Sequence, residues 1–151
     1  MIKVNVEINN KSWRKKIKYP KKYFKQKLKK ISKNIKFLQS KNITFTILLT
    51  NSSYMKKLNA KFRKRNKSTD ILSFPSYELK KLKSIKENYI YIGDLAVSYE
   101  IINLRSKNLF FKEEFDKAWV HGLLHLLGYD HVKNKDYEKM NKIEKRILNS
   151  I

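Results

Sequence analysis

The three histidines of the chain, His121, His125 and His131, all lie within one stretch of eleven residues, HGLLHLLGYDH. Residues four apart share one face of a helix, with Cβ atoms about 5–6 Å apart, so His121 and His125 can bind one ion from adjacent turns. Gly128 is suited to the left-handed conformation that ends a helix, and the returning chain would then carry His131 to the same ion. The sequence contains no cysteine, so imidazole and carboxylate must supply the ligands. This ligand set predicts one zinc ion per chain, with a fourth position open to water.

The alternative is that these are ordinary histidines on a partly buried helix. That reading gives no reason why the other 140 residues contain no histidine. It also leaves Gly122 unexplained, since a glycine inside a helix costs about 1 kcal/mol relative to alanine. We therefore favour a metal site, and a catalytic one, because only three ligands are evident. Asp130 is predicted to be a fourth ligand or an acceptor for an imidazole N–H, unless it is only a turn residue.

The histidine spacing matches the zinc motif of the metzincin proteases, H-E-x-x-H-x-x-G-x-x-H. Gly122 stands where those proteases carry the glutamate that acts as general base, so peptide hydrolysis by their mechanism lacks its proton acceptor. Metal-assisted hydrolysis survives this change, because zinc lowers the pKa of a bound water to about 7. We also expect Gly122 to leave room for a bulky substrate backbone close to the ion.

A second segment, LNAKFRKRNKSTDILSFP at Leu58–Pro75, concentrates basic residues between a predicted helix and a predicted strand. Only five of the 36 basic residues of the chain are arginines, so the two arginines retained in this segment are informative. The planar guanidinium fits phosphate oxygens and keeps its charge. The segment predicts a phosphate-binding loop, and a solvated charged loop is the alternative. Its basic residues are Lys61, Arg63, Lys64, Arg65 and Lys67.

The net charge of +23 points to a polyanionic partner, because clustered cations gain free energy by releasing counterions from phosphates. The abundance of Lys, Asn, Ile, Tyr and Phe is also the bias expected of a genome rich in A and T. Part of the charge is therefore attributed to nucleotide bias, and charge alone does not decide the partner.

Elements that would position these residues follow from hydrophobic periodicity. Apolar residues at every second position predict a strand at 2–8, and steps of three and four predict an amphipathic helix after Pro20, with apolar positions through Leu38. Further predicted elements are a strand at 43–50, a short helix capped at 51–53, strands at 69–74 and 89–97 that pair as an antiparallel hairpin, and helices at 98–104, about 109–127 and about 135–148. This order predicts an α+β fold, a mixed sheet of about four strands packed with about five helices, with the zinc site at the end of a helix.

The length of 151 residues predicts one catalytic domain spanning residues 1–151. Apolar stretches fall short of the roughly 20 residues that cross a bilayer, and the alternating start MIKVNVEINN is unlike a signal peptide. We therefore expect a cytoplasmic protein without membrane contact.

The zinc window, the Leu58–Pro75 segment and the strand YIGDLAVS between them resemble, in this order, motifs of the YbeY family of bacterial metal-dependent endoribonucleases. Order and approximate spacing match over most of Leu58 to His131, whereas the N-terminal part and the last helix match in pattern only. The resemblance implies that His121, His125 and His131 are the zinc ligands and that Arg63 is implicated in RNA cleavage. It also implies single-stranded RNA rather than DNA as substrate, a role at the 3′ end of small-subunit ribosomal RNA, and association with ribosomes or assembly factors.

The mechanistic hypothesis is that zinc polarises a scissile phosphate or activates water while Arg63 stabilises charge on the phosphorane oxygens. Asp70, Asp94 and a zinc-bound hydroxide are open candidates for the base, and both carboxylates are equally suited to structural roles. Attack by water and attack by the RNA 2′-hydroxyl also remain open. Two other classes are a zinc-stabilised RNA-binding assembly factor without catalysis and, less favoured, a zinc peptidase.

Overall fold

A four-stranded mixed sheet forms the centre of the protein in a computed structural model. The structure describes residues 1–107 and 109–151, except for the side chains of residues 37 and 79. The strands are β1 (Ile2–Ile8), β2 (Asn42–Thr50), β3 (Ile71–Pro75) and β4 (Tyr89–Ser98), in the spatial order β1-β2-β4-β3. β1 and β4 run parallel to β2, and β3 runs antiparallel to β4. The predicted fold class and the predicted antiparallel pairing are both confirmed.

Eight helices are found among the described residues, and five of them, each eight residues or longer, correspond to the predicted helices. The predicted helix after Pro20 is interrupted at Ile35, whose backbone is extended with φ −125° and ψ 109°. The apolar residues on both sides of this break are nevertheless buried, among them Ile31, Ile35 and Leu38. The spacing of apolar residues therefore does not reveal where the helix is interrupted. None of the helices in the described part of the chain is long and apolar enough to cross a bilayer. The helices are α1 (Trp13–Lys16), α2 (Pro20–Asn34), α3 (Lys36–Ser40), α4 (Ser52–Arg63), α5 (Leu79–Ser84), α6 (Tyr99–Ser106), α7 (Phe111–Leu126) and α8 (Asn134–Leu148).

The two faces of the sheet are covered by different helices. α7 packs against one face of β3 and β4, where it meets α2 through the rings of Trp119 and Phe24, which are both fully buried. α4 covers part of the opposite face, where Met55 packs with Leu72 and Ala96 in a smaller apolar cluster. This division follows from the alternation of side chains along each strand. The predicted histidine helix α7 is therefore held between the sheet and two further helices, α2 and α8.

A buried carboxylate fixes α7 against α2. Asp116 accepts hydrogen bonds from Tyr23 Oη at 2.6 Å and Trp119 Nε1 at 2.8 Å, and it pairs with Lys27 Nζ at 2.7 Å. Burial, followed by the charge of Asp116, raises the pKa of the Tyr23 hydroxyl well above its ordinary range. Tyr23 therefore remains a neutral donor, and the carboxylate is satisfied from both helices.

We predict that Asp116→Ala lowers the free energy of unfolding by about 3 kcal/mol, because it leaves a hydroxyl, an indole N–H and a half-desolvated ammonium without their acceptor. Urea denaturation measures this change. Glu114→Ala on the same helix is the control: its pair with Lys117 is solvent-exposed on the lysine side and is worth less than about 1 kcal/mol. Equal losses in the two variants would contradict the account.

Candidate active site

The end of α7 turns the chain back toward its own histidines. Gly128 adopts a left-handed backbone with φ 84°. Its amide donates to the carbonyl of His125 at 2.9 Å, and the Tyr129 amide donates to the carbonyl of Leu124 at 3.0 Å. These two bonds form the Schellman motif, which satisfies carbonyls at the helix end and reverses the chain. The predicted role of Gly128 is confirmed, and the reversal brings His131 beside the helix.

The three histidines converge at one point. One ring nitrogen from each of His121, His125 and His131 lies within 4.8 Å of the other two, a group that could hold a metal ion. His121 and His125 are half-buried, and His131 is exposed. The cluster therefore has one side packed in the protein and one side open to solvent.

Hydrogen bonds to the outer ring nitrogens fix which nitrogen faces the centre. His125 Nδ1 lies 3.0 Å from the carbonyl oxygen of Tyr129, and His121 Nδ1 lies 3.1 Å from Glu144 Oε2. Because a carbonyl and a carboxylate only accept, each Nδ1 carries its hydrogen and each Nε2 faces the centre of the cluster.

The two Nε2 atoms of His121 and His125 face each other at 3.1 Å. This distance suits both a hydrogen bond between the rings and two ligands of one ion. A tetrahedral metal ion with nitrogen ligands at about 2.0–2.1 Å would hold neighbouring ligands about 3.3 Å apart, close to the separation observed. Burial, followed by the nearby His121, lowers the pKa of His125 and keeps it as the neutral imidazole that binds metals. The donor set therefore fits a metal ion.

Glu144 is a residue of this site that the sequence interpretation missed. It lies on α8 between Met140 and Ile147, which are buried against the core, so its carboxylate belongs to the inward face of that helix. A carboxylate on an otherwise apolar face was the available signal, since such a group needs a partner. The partner is His121, and the sequence does not show that α8 passes beside it.

An open cavity of about 740 Å³ connects the histidines to Arg63. Of the predicted site residues, it is lined by the three histidines, Arg63, Asp70 and Asp130. Residues that the sequence interpretation did not single out also line it, among them Ser73 within β3, three residues directly after β3 and Tyr129 after α7; the three are Ser76, Tyr77 and Glu78.

Arg63 is the last residue of α4, and its guanidinium is anchored to β3. Its Nη2 donates to the carbonyl of Ser73 at 3.2 Å, and the hydroxyl of Ser73 in turn lies 3.5 Å from the carbonyl of Gly122 on α7. α4 is capped at its start, where the Asn51 side chain accepts from the Tyr54 amide at 2.8 Å. The structure thus brings Arg63 to the side of the histidine cluster.

A buried amide side chain anchors the basic loop that follows α4. Asn59 is 3% exposed, and its Nδ2 donates to the carbonyl of Lys67 at 2.8 Å. Lys64 closes the helix in a left-handed conformation with φ 54°. The remaining predicted RNA-binding side chains flank Arg63 at the surface rather than line the cavity; Lys61, Lys64, Arg65 and Lys67 are all exposed.

The three predicted carboxylates have different surroundings. Asp70 lines the cavity, pairs with Arg105 and accepts from the Ile71 amide at 2.8 Å. Asp130 accepts from the amide of His131 at 2.7 Å, which is the bond of a turn residue.

The structure does not bring Asp94 to the histidines. Its neighbour Leu95 packs on α7 at Gly122, so alternation along β4 directs Asp94 to the opposite face of the sheet. There the carboxylate accepts from Tyr91 Oη at 2.5 Å, and the same hydroxyl lies 2.8 Å from Thr46 Oγ1. The sequence analysis predicted this strand but not which of its side chains face the site.

Gly122 faces the sheet, so the expectation that it leaves room for substrate beside the ion is wrong. A Cβ at this position would lie 2.6 Å from Ile71 Cδ1 and 2.9 Å from Leu95 Cδ2. The glycine permits close packing of α7 on β3 and β4, which places the histidines at the level of Ser73. A glutamate at this position would meet the sheet.

We predict that Gly122→Ala lowers the free energy of unfolding by up to about 2 kcal/mol, because an overpacking cost of about 1–3 kcal/mol is only partly offset by a gain of about 1 kcal/mol in helix propensity. Thermal or urea denaturation measures the change. A stabilised variant would show that position 122 does not pack against the sheet.

We predict that Glu144→Ala weakens metal binding about 10- to 100-fold, since the acceptor that orients His121 is lost. Competition with a chromophoric chelator measures the affinity. Glu138→Ala, at an exposed position of the same helix, is the matched control and should leave affinity unchanged. Equal affinities in all three proteins would remove Glu144 from the site.

Comparison with known proteins agrees with this geometry. The family model described as Endoribonuclease YbeY matches residues 7–151. The protein named Endoribonuclease YbeY in Pelagibacter ubique is 47% identical over 154 residues, covering 100% of this chain and 97% of that protein. The one in Buchnera aphidicola subsp. Acyrthosiphon pisum is 39% identical over 148 residues, covering 95% and 84%.

Among solved structures, the solution structure of TM1509 from Thermotoga maritima superposes with a TM-score of 0.62 at 25% identity, covering 99% of this chain and 88% of that chain. The family model and the curated relatives confirm the resemblance drawn from the three motifs. The chain belongs to the YbeY family of endoribonucleases.

Proposed function

We propose that this chain is a zinc-dependent endoribonuclease that cleaves single-stranded RNA, with residues 1–151 as its catalytic domain. The observation that carries the proposal is the cavity shared by the three histidines and Arg63, in a chain whose relatives are named endoribonucleases. Metal ligands on one wall and a fixed guanidinium on another are what phosphoryl chemistry on a polyanion requires.

His121, His125 and His131 would hold the zinc ion, because three imidazoles in a chain without cysteine match a catalytic rather than a structural zinc site. A bound zinc would supply a Lewis acid for a phosphate oxygen and acidify a water molecule. The Tyr129 carbonyl and the Glu144 carboxylate hold the two helical imidazoles with Nε2 toward the centre. These two histidines therefore need little rearrangement when the ion binds.

Arg63 would bind the scissile phosphate and stabilise the charge that grows on its oxygens. One N–H of the guanidinium is committed to the Ser73 carbonyl, which anchors the group at the edge of β3. The guanidinium has five N–H donors, so others remain for phosphate oxygens. A donor fixed before the reaction stabilises the transition state without a cost of reorganisation.

The cavity carboxylates support positioning roles. Asp70 orders the start of β3 through the Ile71 amide and holds Arg105, while Asp130 shapes the turn that presents His131. Neither bond identifies a general base. Attack by water would leave a 5′-phosphate, and attack by the RNA 2′-hydroxyl would leave a 2′,3′-cyclic phosphate, so analysis of the products separates the two routes.

We further propose that the RNA is ribosomal, that the chain acts at the 3′ end of the small-subunit RNA in the cytoplasm, and that it associates with ribosomes or assembly factors. The net charge of +23 and the exposed basic loop beside Arg63 support an RNA partner. The buried position of Gly122, where metzincin proteases carry their base, argues against the peptidase alternative.

We predict that Arg63→Ala lowers kcat for cleavage of a single-stranded RNA about 10²- to 10³-fold, because a fixed charged donor is lost from the transition state. The zinc affinity of this variant should not change, whereas His125→Ala should lose both zinc and cleavage. Gel analysis of RNA products and chelator competition measure the two properties.

Arg65→Ala is the matched control, since Arg65 is exposed in the same loop and does not line the cavity. It should weaken RNA binding, most clearly at low salt, and leave kcat nearly unchanged. Binding of RNA without cleavage in every metal condition would instead support the non-catalytic assembly factor.

A further inference from the structure

An exposed aromatic ring lies immediately before Arg63 in the chain. Phe62 is 56% exposed, and its ring packs edge-on against the half-buried Phe74, with centroids 5.2 Å apart and an interplanar angle of 66°. Phe62 lies one turn after Leu58 on the apolar side of α4. The smaller apolar cluster around Met55 does not extend far enough to cover the Phe62 ring. The ring is thus held in place and remains open to solvent.

The hydrogen-bond register of β3 connects this ring to the cavity. The amide of Ser98 donates to the carbonyl of Asp70, and the amide of Ser76 donates to the carbonyl of Ile92. In an antiparallel pair the bonded positions alternate, so the backbone N–H and C=O of Ser73, which lies opposite Leu95, point away from β4.

β3 is an edge strand of the sheet. The guanidinium of Arg63 therefore lies along the unpaired edge of β3, where it donates a hydrogen bond to the Ser73 carbonyl. Side chains alternate across this strand. Ser73 faces α7 and Gly122, and Phe74 faces α4 and Phe62. A single strand of RNA that enters the cavity over this edge would pass Phe62, then Arg63, then the histidines.

The charges around the ring suit a nucleotide rather than another apolar group. Lys61 Nζ lies 5.2 Å from the centroid of the Phe62 ring, and both Lys61 and Lys64 are exposed. A nucleotide combines a flat base with a phosphate, so it can use an aromatic face and neighbouring cations together. Lys61 is a long, flexible side chain that can move from the ring to a phosphate when a base takes its place.

We propose that Phe62 is the stacking site for one nucleobase of the substrate, close to the nucleotide whose phosphate contacts Arg63. This inference rests on the proposed RNA-cleaving function and adds a base-binding subsite to it. Stacking on an aromatic ring is possible for every base, so the subsite contributes affinity and register with little sequence preference.

The test measures the dissociation constant of a short single-stranded 2′-O-methyl RNA, checked by gel to remain uncleaved, for wild-type protein, Phe62→Leu and Phe62→Trp. Leucine keeps apolar contact with Phe74 but has no aromatic face, and tryptophan restores one. Phe110→Leu is the matched control, because Phe110 is 58% exposed and precedes the opposite end of α7 from the histidines. The same RNA is also made with a single abasic position, moved along the chain in successive oligonucleotides.

We expect Phe62→Leu to weaken binding at least about five-fold, and Phe62→Trp and Phe110→Leu to bind like wild type. We expect one abasic position to remove the difference between wild type and Phe62→Leu. Wild-type binding with no effect of Phe62→Leu, or an effect that no abasic position removes, would overturn the subsite and leave the ribonuclease proposal standing. Failure of the wild-type protein to bind or cleave any RNA would overturn the proposed function, and the subsite with it.

Discussion

The convergence of two imidazole nitrogens on one point is the main constraint on this structure. The Nε2 atoms of His121 and His125 are 3.1 Å apart, and each ring is held in that orientation by an acceptor at its other nitrogen. The two Nε2 atoms are thus oriented in advance for one metal ion. The rest of the fold supplies what this requires: a rigid α7, a chain reversal at Gly128 and a carboxylate from α8.

Rigidity of α7 comes from both of its neighbours. On one side Asp116 ties it to α2, and on the other Gly122 lets it approach β3 and β4 closely enough for the Gly122 carbonyl to lie within 3.5 Å of the Ser73 hydroxyl. Ser73 is also the residue that holds Arg63. One edge strand therefore sets the spacing between the histidine cluster and the guanidinium, and the cavity between them has walls of fixed position.

The local features of this site could be predicted from sequence because they depend on short-range geometry. The four-residue spacing of His121 and His125, the left-handed Gly128 and the alternation at 2–8 are all properties of neighbouring residues. The strands, the five longer helices and the convergence of the histidines followed from them. The family resemblance, now confirmed by the comparisons, added the link to Arg63.

The features that sequence did not give depend on how distant elements pack. Glu144 lies 23 positions after His121 and meets it only because α8 lies against α7. Gly122 looked like space for substrate because its spacing places it next to the histidines, but the helix turns it toward the sheet. Asp94 is on a predicted strand, but its side chain lies on the face away from the site. Each of these outcomes depends on how a helix or strand is rotated about its own axis. Hydrophobic periodicity alone does not determine that rotation when both faces of the element are partly covered.

The central claim is that one zinc ion at the three histidines is required for RNA cleavage. The most direct test is to titrate zinc into metal-free protein and to follow bound zinc and the rate of single-stranded RNA cleavage in the same samples. The account predicts that the rate rises in proportion to occupancy and saturates at one ion per chain. Full cleavage by metal-free protein, or saturation of the histidines with zinc without any cleavage, would contradict it.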